Sequence, residues 1–127
     1  MNLEKVVFAF VILLAATLNF GFVYGDIDEP PHHDLWELFA AVIVNLVATV
    51  LKLGDRTQIG AVHLSTSLVA VLQLVAAALV WFFAVQRSGQ SIDSAAMASV
   101  VSLSAGALFA NVVSVGMMVA ETVMLGR

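Results

Sequence analysis

Nine consecutive residues, Asp26-Ile27-Asp28-Glu29-Pro30-Pro31-His32-His33-Asp34, bring four carboxylates and two imidazoles together. Asp26, Asp28, Glu29, His32, His33 and Asp34 are therefore the residues most suited to hold a divalent cation such as Zn²⁺, or to concentrate cations at an entrance. The cluster lacks the order of a calcium loop, because Pro31 stands where that loop needs glycine and Pro30 replaces a ligand. Adjacent histidines without a second spaced pair also differ from the helical zinc pattern H-E-x-x-H. A solvated acidic cap is the simpler reading of the same residues. No resident cofactor is expected beyond this potential cation.

The other polar residues lie inside apolar runs, where they are costly and so invite a functional reading. Glu37, Ala41, Asn45 and Thr49 recur every four residues, and Lys52 follows by three. On a helix they share one face, acidic at one end, amide-bearing in the middle and basic at the other. Copies of that helix around an axis would present rings of Glu37, and carboxylate rings select cations. Glu37, Asn45, Thr49, Lys52 and Arg56 are thus the candidate pore lining. Alternatively, Glu37 only completes a helix cap, Asn45 bonds a neighbouring helix and Lys52 reaches for the headgroups.

A second polar face joins His63, Thr66 and Gln73 with Ala70 and Ala77. His63 could titrate near neutrality, although a lone intramembrane histidine is more often a hydrogen-bonded packing residue. Ser102, Gly106, Ala110 and Ser114 repeat small residues every four positions, the pattern that lets helices approach closely in lipid. Asn111 and Glu121 fall off that ridge, and Glu121 is placed to pair with Lys52 or Arg56 or simply to reach the interface.

The elements that carry these residues are membrane spans. Of 127 residues 61% are hydrophobic and 11% charged, whereas soluble domains carry about 25% charged residues. The surface must therefore face lipid. Apolar runs over 6–24, 35–53, 59–85 and 97–125 each reach the roughly 20 residues a spanning helix needs. The expectation is an all-α integral membrane protein, a single four-helix transmembrane domain over 1–127. Gly54 after Lys52 and Leu53 predicts a glycine-terminated helix. Asp55 with Gln58, and Asp34 with Glu37, predict capping boxes, and Asp93 a cap for the fourth helix.

Lys5, Lys52, Arg56 and Arg127 fall on one side of this topology, with Arg87 alone on the other. By the rule that basic residues stay inside, both termini are cytoplasmic. A cleaved leader ending before Asp26 is the rival for the first span. It is disfavoured, since Met1 to Lys5 carry no net positive charge and the apolar run is long.

No cysteine is present, so disulfides and thiol chemistry are excluded. The net charge is −4 and basic residues are scattered, which argues against nucleic acid. Enzyme signatures such as G-x-S-x-G or a phosphate-cradling glycine loop are missing, so no catalytic role is expected.

The run Asn45-Leu46-Val47-Ala48-Thr49-Val50-Leu51-Lys52-Leu53-Gly54-Asp55-Arg56-Thr57-Gln58-Ile59-Gly60-Ala61, with Thr17-Leu18-Asn19-Phe20-Gly21-Phe22 and the chain length, resembles a family of small bacterial inner-membrane proteins known as a domain of unknown function. The resemblance covers nearly the whole chain. It implies a bacterial inner-membrane location, and no activity or site residue.

The functional expectation is a homo-oligomeric pore for small cations, since so thin a bundle cannot enclose a water-filled path alone. Its rival is a non-conducting accessory subunit packed against a larger membrane protein. A third class is a metal or pH sensor acting through His32, His33 and His63.

Overall fold

The computed structural model describes residues 3–89 and 91–125; Met1, Asn2, Gln90 and Arg127, used in the orientation, leader and loop readings, lie outside them. Four α-helices follow one another: α1 (Leu3–Val23), α2 (Leu35–Lys52), α3 (Gln58–Ser88) and α4 (Ser94–Leu125). A single 3₁₀ turn, Pro30–His32, interrupts the first connection. All four are long and apolar enough to cross a membrane.

Each helix packs on its sequence neighbour and α4 closes back on α1, so the helices form a four-sided bundle. An even number of antiparallel helices puts the start of α1, the end of α2, the start of α3 and the end of α4 at one end. That is the loop-2 end, after the connection 53–57. At 1.5 Å per residue α3 and α4 each extend about 46–48 Å, well beyond the roughly 30 Å hydrocarbon core, so both must tilt or project from it.

The distribution of side chains is the reverse of a soluble bundle. Outward positions carry Phe10, Leu14, Ile43, Val50, Leu72, Phe83, Phe109 and Val112, all exposed. The interior holds the amides of Asn19, Asn45 and Asn111, with His63, Ser67, Ser104 and Ser114, each at most 2% exposed. Backbone and side-chain polar groups have no water to turn to in lipid, so they turn inward. Between them the core includes Ala15, Ala41, Ala48, Ala70, Ala77 and Ala107 beside larger side chains such as Phe22, Leu38 and Leu74. Small side chains let the helix backbones approach and replace hydrophobic driving force by close contact.

The helix ends follow their capping residues rather than the apolar runs. α3 continues through Ser88, past the expected end at Val85, until Gly89 takes a left-handed φ of 68°. α4 begins at Ser94 because Asp93 accepts the Ala96 N–H at 2.8 Å. Gly54, with φ 90°, ends the α2 hairpin as expected. The start of α3 corrects the expectation that Asp55 caps it. Thr57 is the N-cap, accepting the Gly60 N–H at 3.0 Å. Asp55 instead accepts the Thr57 N–H at 2.9 Å and the Thr57 hydroxyl at 2.7 Å. Asp34 does cap α2, through the Trp36 N–H at 3.0 Å. Glu37 does not complete a box there; its carboxylate lies against Gly21 of α1, where any Cβ would meet it.

The bonds from Thr57, with Lys52 nearby, hold the Asp55 carboxyl below its ordinary 3.8. A depressed carboxylate contributes stability above its unfolded value and loses it as acid protonates the folded group. The hairpin turn is therefore at full strength above about pH 4 and weakens below it. Thr57→Ala removes the cap and one of the two bonds from Thr57 to Asp55, and should cost about 1 kcal/mol. Faster amide exchange at Gly60 would report both effects; unchanged exchange in the variant would refute the assignment of Thr57 as cap.

Candidate functional site

Three asparagines from three helices form one chain at the centre of the bundle. Asn19 Nδ2 donates to Asn111 Oδ1 at 2.7 Å, and Asn111 Nδ2 donates to Asn45 Oδ1 at 2.8 Å. Asn45 Nδ2 donates in turn to the Ala41 carbonyl at 2.8 Å. Asn45 lies ten residues into α2, about 15 Å from its start, hence near mid-bilayer. The Asn111–Asn45 bond crosses the diagonal of the bundle, from α4 to α2, so one amide fixes the spacing of helices that are not neighbours. Asn19 Oδ1 and Ser67 Oγ are buried without a partner among the described residues.

Toward the loop-2 end, α3 and α4 add a second polar link. His63 Nδ1 and Ser114 Oγ are hydrogen-bonded and both residues are buried. The imidazole also packs edge-on against Phe8, centroids 4.9 Å apart. These polar groups separate two apolar clusters. One, around Phe22, Leu38, Leu74, Met97 and Val100, seals the loop-1 half; the other is Phe8, Ile12, Ala15 and Ala48.

Below His63 a cavity of about 800 Å³ opens at the loop-2 end. Its apolar walls are Val6, Phe8, Ile59, Met118, Val119 and Val123, with His63 among the lining residues. Charged groups ring it in pairs. Lys5 Nζ lies 3.2 Å from Glu121 Oε2, and Lys52 Nζ 3.5 Å from Asp55 Oδ2. The Lys52 ammonium also sits 4.2 Å from the centre of the Phe8 ring, a cation–π contact that holds it over the cavity wall. Glu121 was expected to meet Lys52 or Arg56. It meets Lys5 because α1, not α2, is the neighbour of α4.

The candidate pore lining is therefore dispersed. Asn45 and Thr49 are buried within their own chain, Thr49 donating to the Asn45 carbonyl at 2.9 Å. Glu37 is half-buried against α1, Lys52 lines the cavity, and Arg56 is exposed in the loop. The outward face of α2 is Trp36, Phe39, Ile43, Leu46, Val47 and Val50. A ring of α2 helices would thus meet through apolar side chains; the polar stripe faces inward because all four helices bury their amides together.

On α3, His63 is buried, while Thr66 and Gln73 are half-buried and Gln73 Oε1 is enclosed without a partner. Gln73 lies against Gly106 of α4, where any Cβ would meet the amide. The small-residue ridge divides. Ala110 and Ser114 are buried and Gly106 half-buried, but Ser102 is exposed. Steps of four residues overshoot a 3.6-residue turn by about 40° each, so three steps rotate the ridge by about 120° out of the core. Ser104 and Ala107 take its place inside.

The acidic loop does not assemble a metal site. Among the described residues no three His, Asp or Glu side chains are placed to hold an ion. His33 is buried, with Nδ1 against the Phe22 carbonyl and Nε2 2.7 Å from the Asp26 carbonyl. His32 Nδ1 accepts the Asp26 N–H at 2.9 Å. Both imidazoles are thus turned to backbone groups of the loop and the end of α1, while Asp26, Asp28, Glu29 and Asp34 are exposed.

Asn19 and Asn111 escaped the sequence reading as site residues. Their signal was simply an asparagine inside each of two apolar runs, which gains meaning only with Asn45 on a third.

An apolar exterior, four spans and a hydrogen-bonded polar interior define a multi-pass α-helical membrane protein. Within that class the chain belongs to a family of unknown function, DUF6394, which it matches over residues 32–122. No curated protein and no solved structure matches it significantly.

Proposed function

We propose that this protein binds a small amphiphile at one membrane face, in the cavity at the loop-2 end. The observation that carries this reading is an 800 Å³ space with apolar walls and a charged rim, to which all four helices contribute. Ligand sites commonly have about this volume and this mix of apolar lining with a few placed polar groups. Lys5, Lys52 and Arg56 gather at the same end, so by the basic-residue rule the cavity faces the cytoplasm. The inner membrane of a bacterium is the location that suits this topology.

The reading favours binding over catalysis. The cavity walls are mainly apolar, and the hydroxyl bonded to His63, that of Ser114, is 0% exposed. It also favours binding over conduction, because Asn45 and Thr49 are enclosed within one chain and the Phe22–Leu74 cluster closes the loop-1 half. Neither a homo-oligomer nor a larger membrane partner is required; the uniformly apolar outer face suits lipid directly.

A tryptophan introduced at Val123, on the cavity wall, should be quenched saturably by a brominated-chain detergent. One at the lipid-facing Leu72, 68% exposed, should be quenched only in proportion to detergent concentration. Equal, unsaturable quenching at both positions would remove the binding reading. Cation flux through the same protein in vesicles should equal that of empty vesicles; flux that falls in Glu37→Gln would restore the pore.

A further inference from the structure

Building on the amphiphile-binding reading, we propose that the cavity selects a zwitterionic headgroup, a phosphate ester carrying an ammonium group. The rim holds two ammonium groups and two carboxylates, contributed by α1, α2, the loop-2 turn and α4, and each charge already has an opposite partner within 4 Å. An anionic headgroup could recruit Lys5 and Lys52 only by leaving Glu121 and Asp55 unpaired beside its own charge. A cationic headgroup would strand the two lysines in the same way. A headgroup with both charges exchanges partners in each pair at once: its phosphate oxygens accept from Lys5 and Lys52 while its ammonium donates to Glu121 and Asp55. No charge is then left without a partner.

The geometry beneath the rim suits the rest of such a molecule. Lys52 has only 14% of its side chain exposed and is held over the Phe8 ring, so it is positioned rather than free. Lys5, with 56% exposed, is the more accessible of the two. His63 lines the cavity and has Nδ1 engaged by Ser114. His63 thus lies at the deep end, and Met118 and Val119 line the wall between it and the rim, where the acyl portion would lie.

The same chemistry exists in a two-chain bilayer lipid and in a free single-chain lysophospholipid, and the test separates them. Full-length protein in detergent is titrated with single-chain phosphoethanolamine and phosphoglycerol amphiphiles of equal chain length, read by native mass spectrometry. The two-chain forms are offered in parallel.

Phosphoethanolamine should bind in preference. Glu121→Gln and Lys52→Gln should each weaken it, by up to about fivefold for partly exposed pairs. For the anionic phosphoglycerol, Lys52→Gln should weaken binding while Glu121→Gln leaves it equal or tighter. Saturable binding of the single-chain form alone identifies a free amphiphile; equal binding of the two-chain form identifies a bilayer lipid.

Phosphoglycerol binding as well as or better than phosphoethanolamine would overturn the headgroup assignment while leaving the cavity reading intact. Val119→Trp, which narrows the cavity, should weaken binding of every amphiphile. Binding unchanged by it, or no binding by the unaltered protein, would overturn the cavity reading itself. Lys5→Gln, at the exposed end of the rim, repeats the lysine test at a position where the bundle is not at risk.

Discussion

Asn111→Leu is expected to destabilise the bundle by about 2–3 kcal/mol. Leucine keeps nearly the same volume, so packing is preserved and the loss is that of the amide. Asn111 both accepts from Asn19 and donates to Asn45, at 2.7 and 2.8 Å, and its removal strands one donor and one acceptor in a dry interior. Interhelical hydrogen bonds in membranes average about 0.6 kcal/mol and reach about 1.7. A group left buried and unpaired adds about 1–3 kcal/mol. Asn19→Leu breaks one link at the end of the chain and should cost less. The double variant should cost less than the sum, because both substitutions delete the same Asn19–Asn111 bond. Reversible unfolding in mixed micelles would measure all three. A change under about 0.5 kcal/mol for Asn111→Leu would mean that the unfolded spans find equally good partners and that the asparagine layer specifies geometry without adding stability.

Phe22→Ala should cost about 2–4 kcal/mol and loosen the loop-1 end. Phe22 is completely buried, with the Trp81 ring 6.1 Å and the His33 ring 5.6 Å from its own. In water a Phe→Ala change in a core costs about 3–5 kcal/mol, part of it from transfer and part from the cavity left behind. In lipid the transfer part shrinks, since acyl chains are as apolar as the core, and lost dispersion contacts remain. The same substitution removes the ring over His33, whose imidazole bridges the Phe22 and Asp26 carbonyls. Trp81 emission and amide exchange at Tyr24 to His33 should therefore change together. A shift in Trp81 emission without faster exchange would separate the core from the clasp and show that His33 holds loop 1 by its backbone bonds alone.

These expectations describe a protein with two unlike halves. The loop-1 half is closed by large apolar side chains and a histidine-clasped loop; the loop-2 half holds an imidazole and paired charges around an open cavity. The asparagine layer lies between them, and it couples α1, α2 and α4 through one residue. In the proposed binding, ligand contacts at Lys5, Lys52 or Glu121 would fall on the same helices whose spacing Asn111 fixes, so ligand affinity and bundle stability should move together in Asn111 variants.

The spans themselves were legible in the residue order, because four apolar runs near bilayer length allow no other solvent than lipid. Helix ends were legible where a single residue dictates them, as at Gly54 and Asp93. They were misread at Asp55, where Thr57 two positions on competes for the same cap with better reach to the Gly60 N–H. The polar stripe of α2 was visible by its spacing, but its direction was not. Periodicity puts Glu37, Asn45 and Thr49 on one face without saying whether that face meets water, a second copy or the chain's own interior. Only the tertiary structure decided this, by bringing Asn111 from a distant run within hydrogen-bonding distance of both Asn19 and Asn45. The cavity is likewise tertiary: Lys5 and Glu121 stand 116 positions apart, and nothing local in either helix announces the other. Composition determines that this chain lives in a membrane, whereas the pairing of helices determines what its few polar groups can touch, because in lipid each such group must find its partner inside the fold.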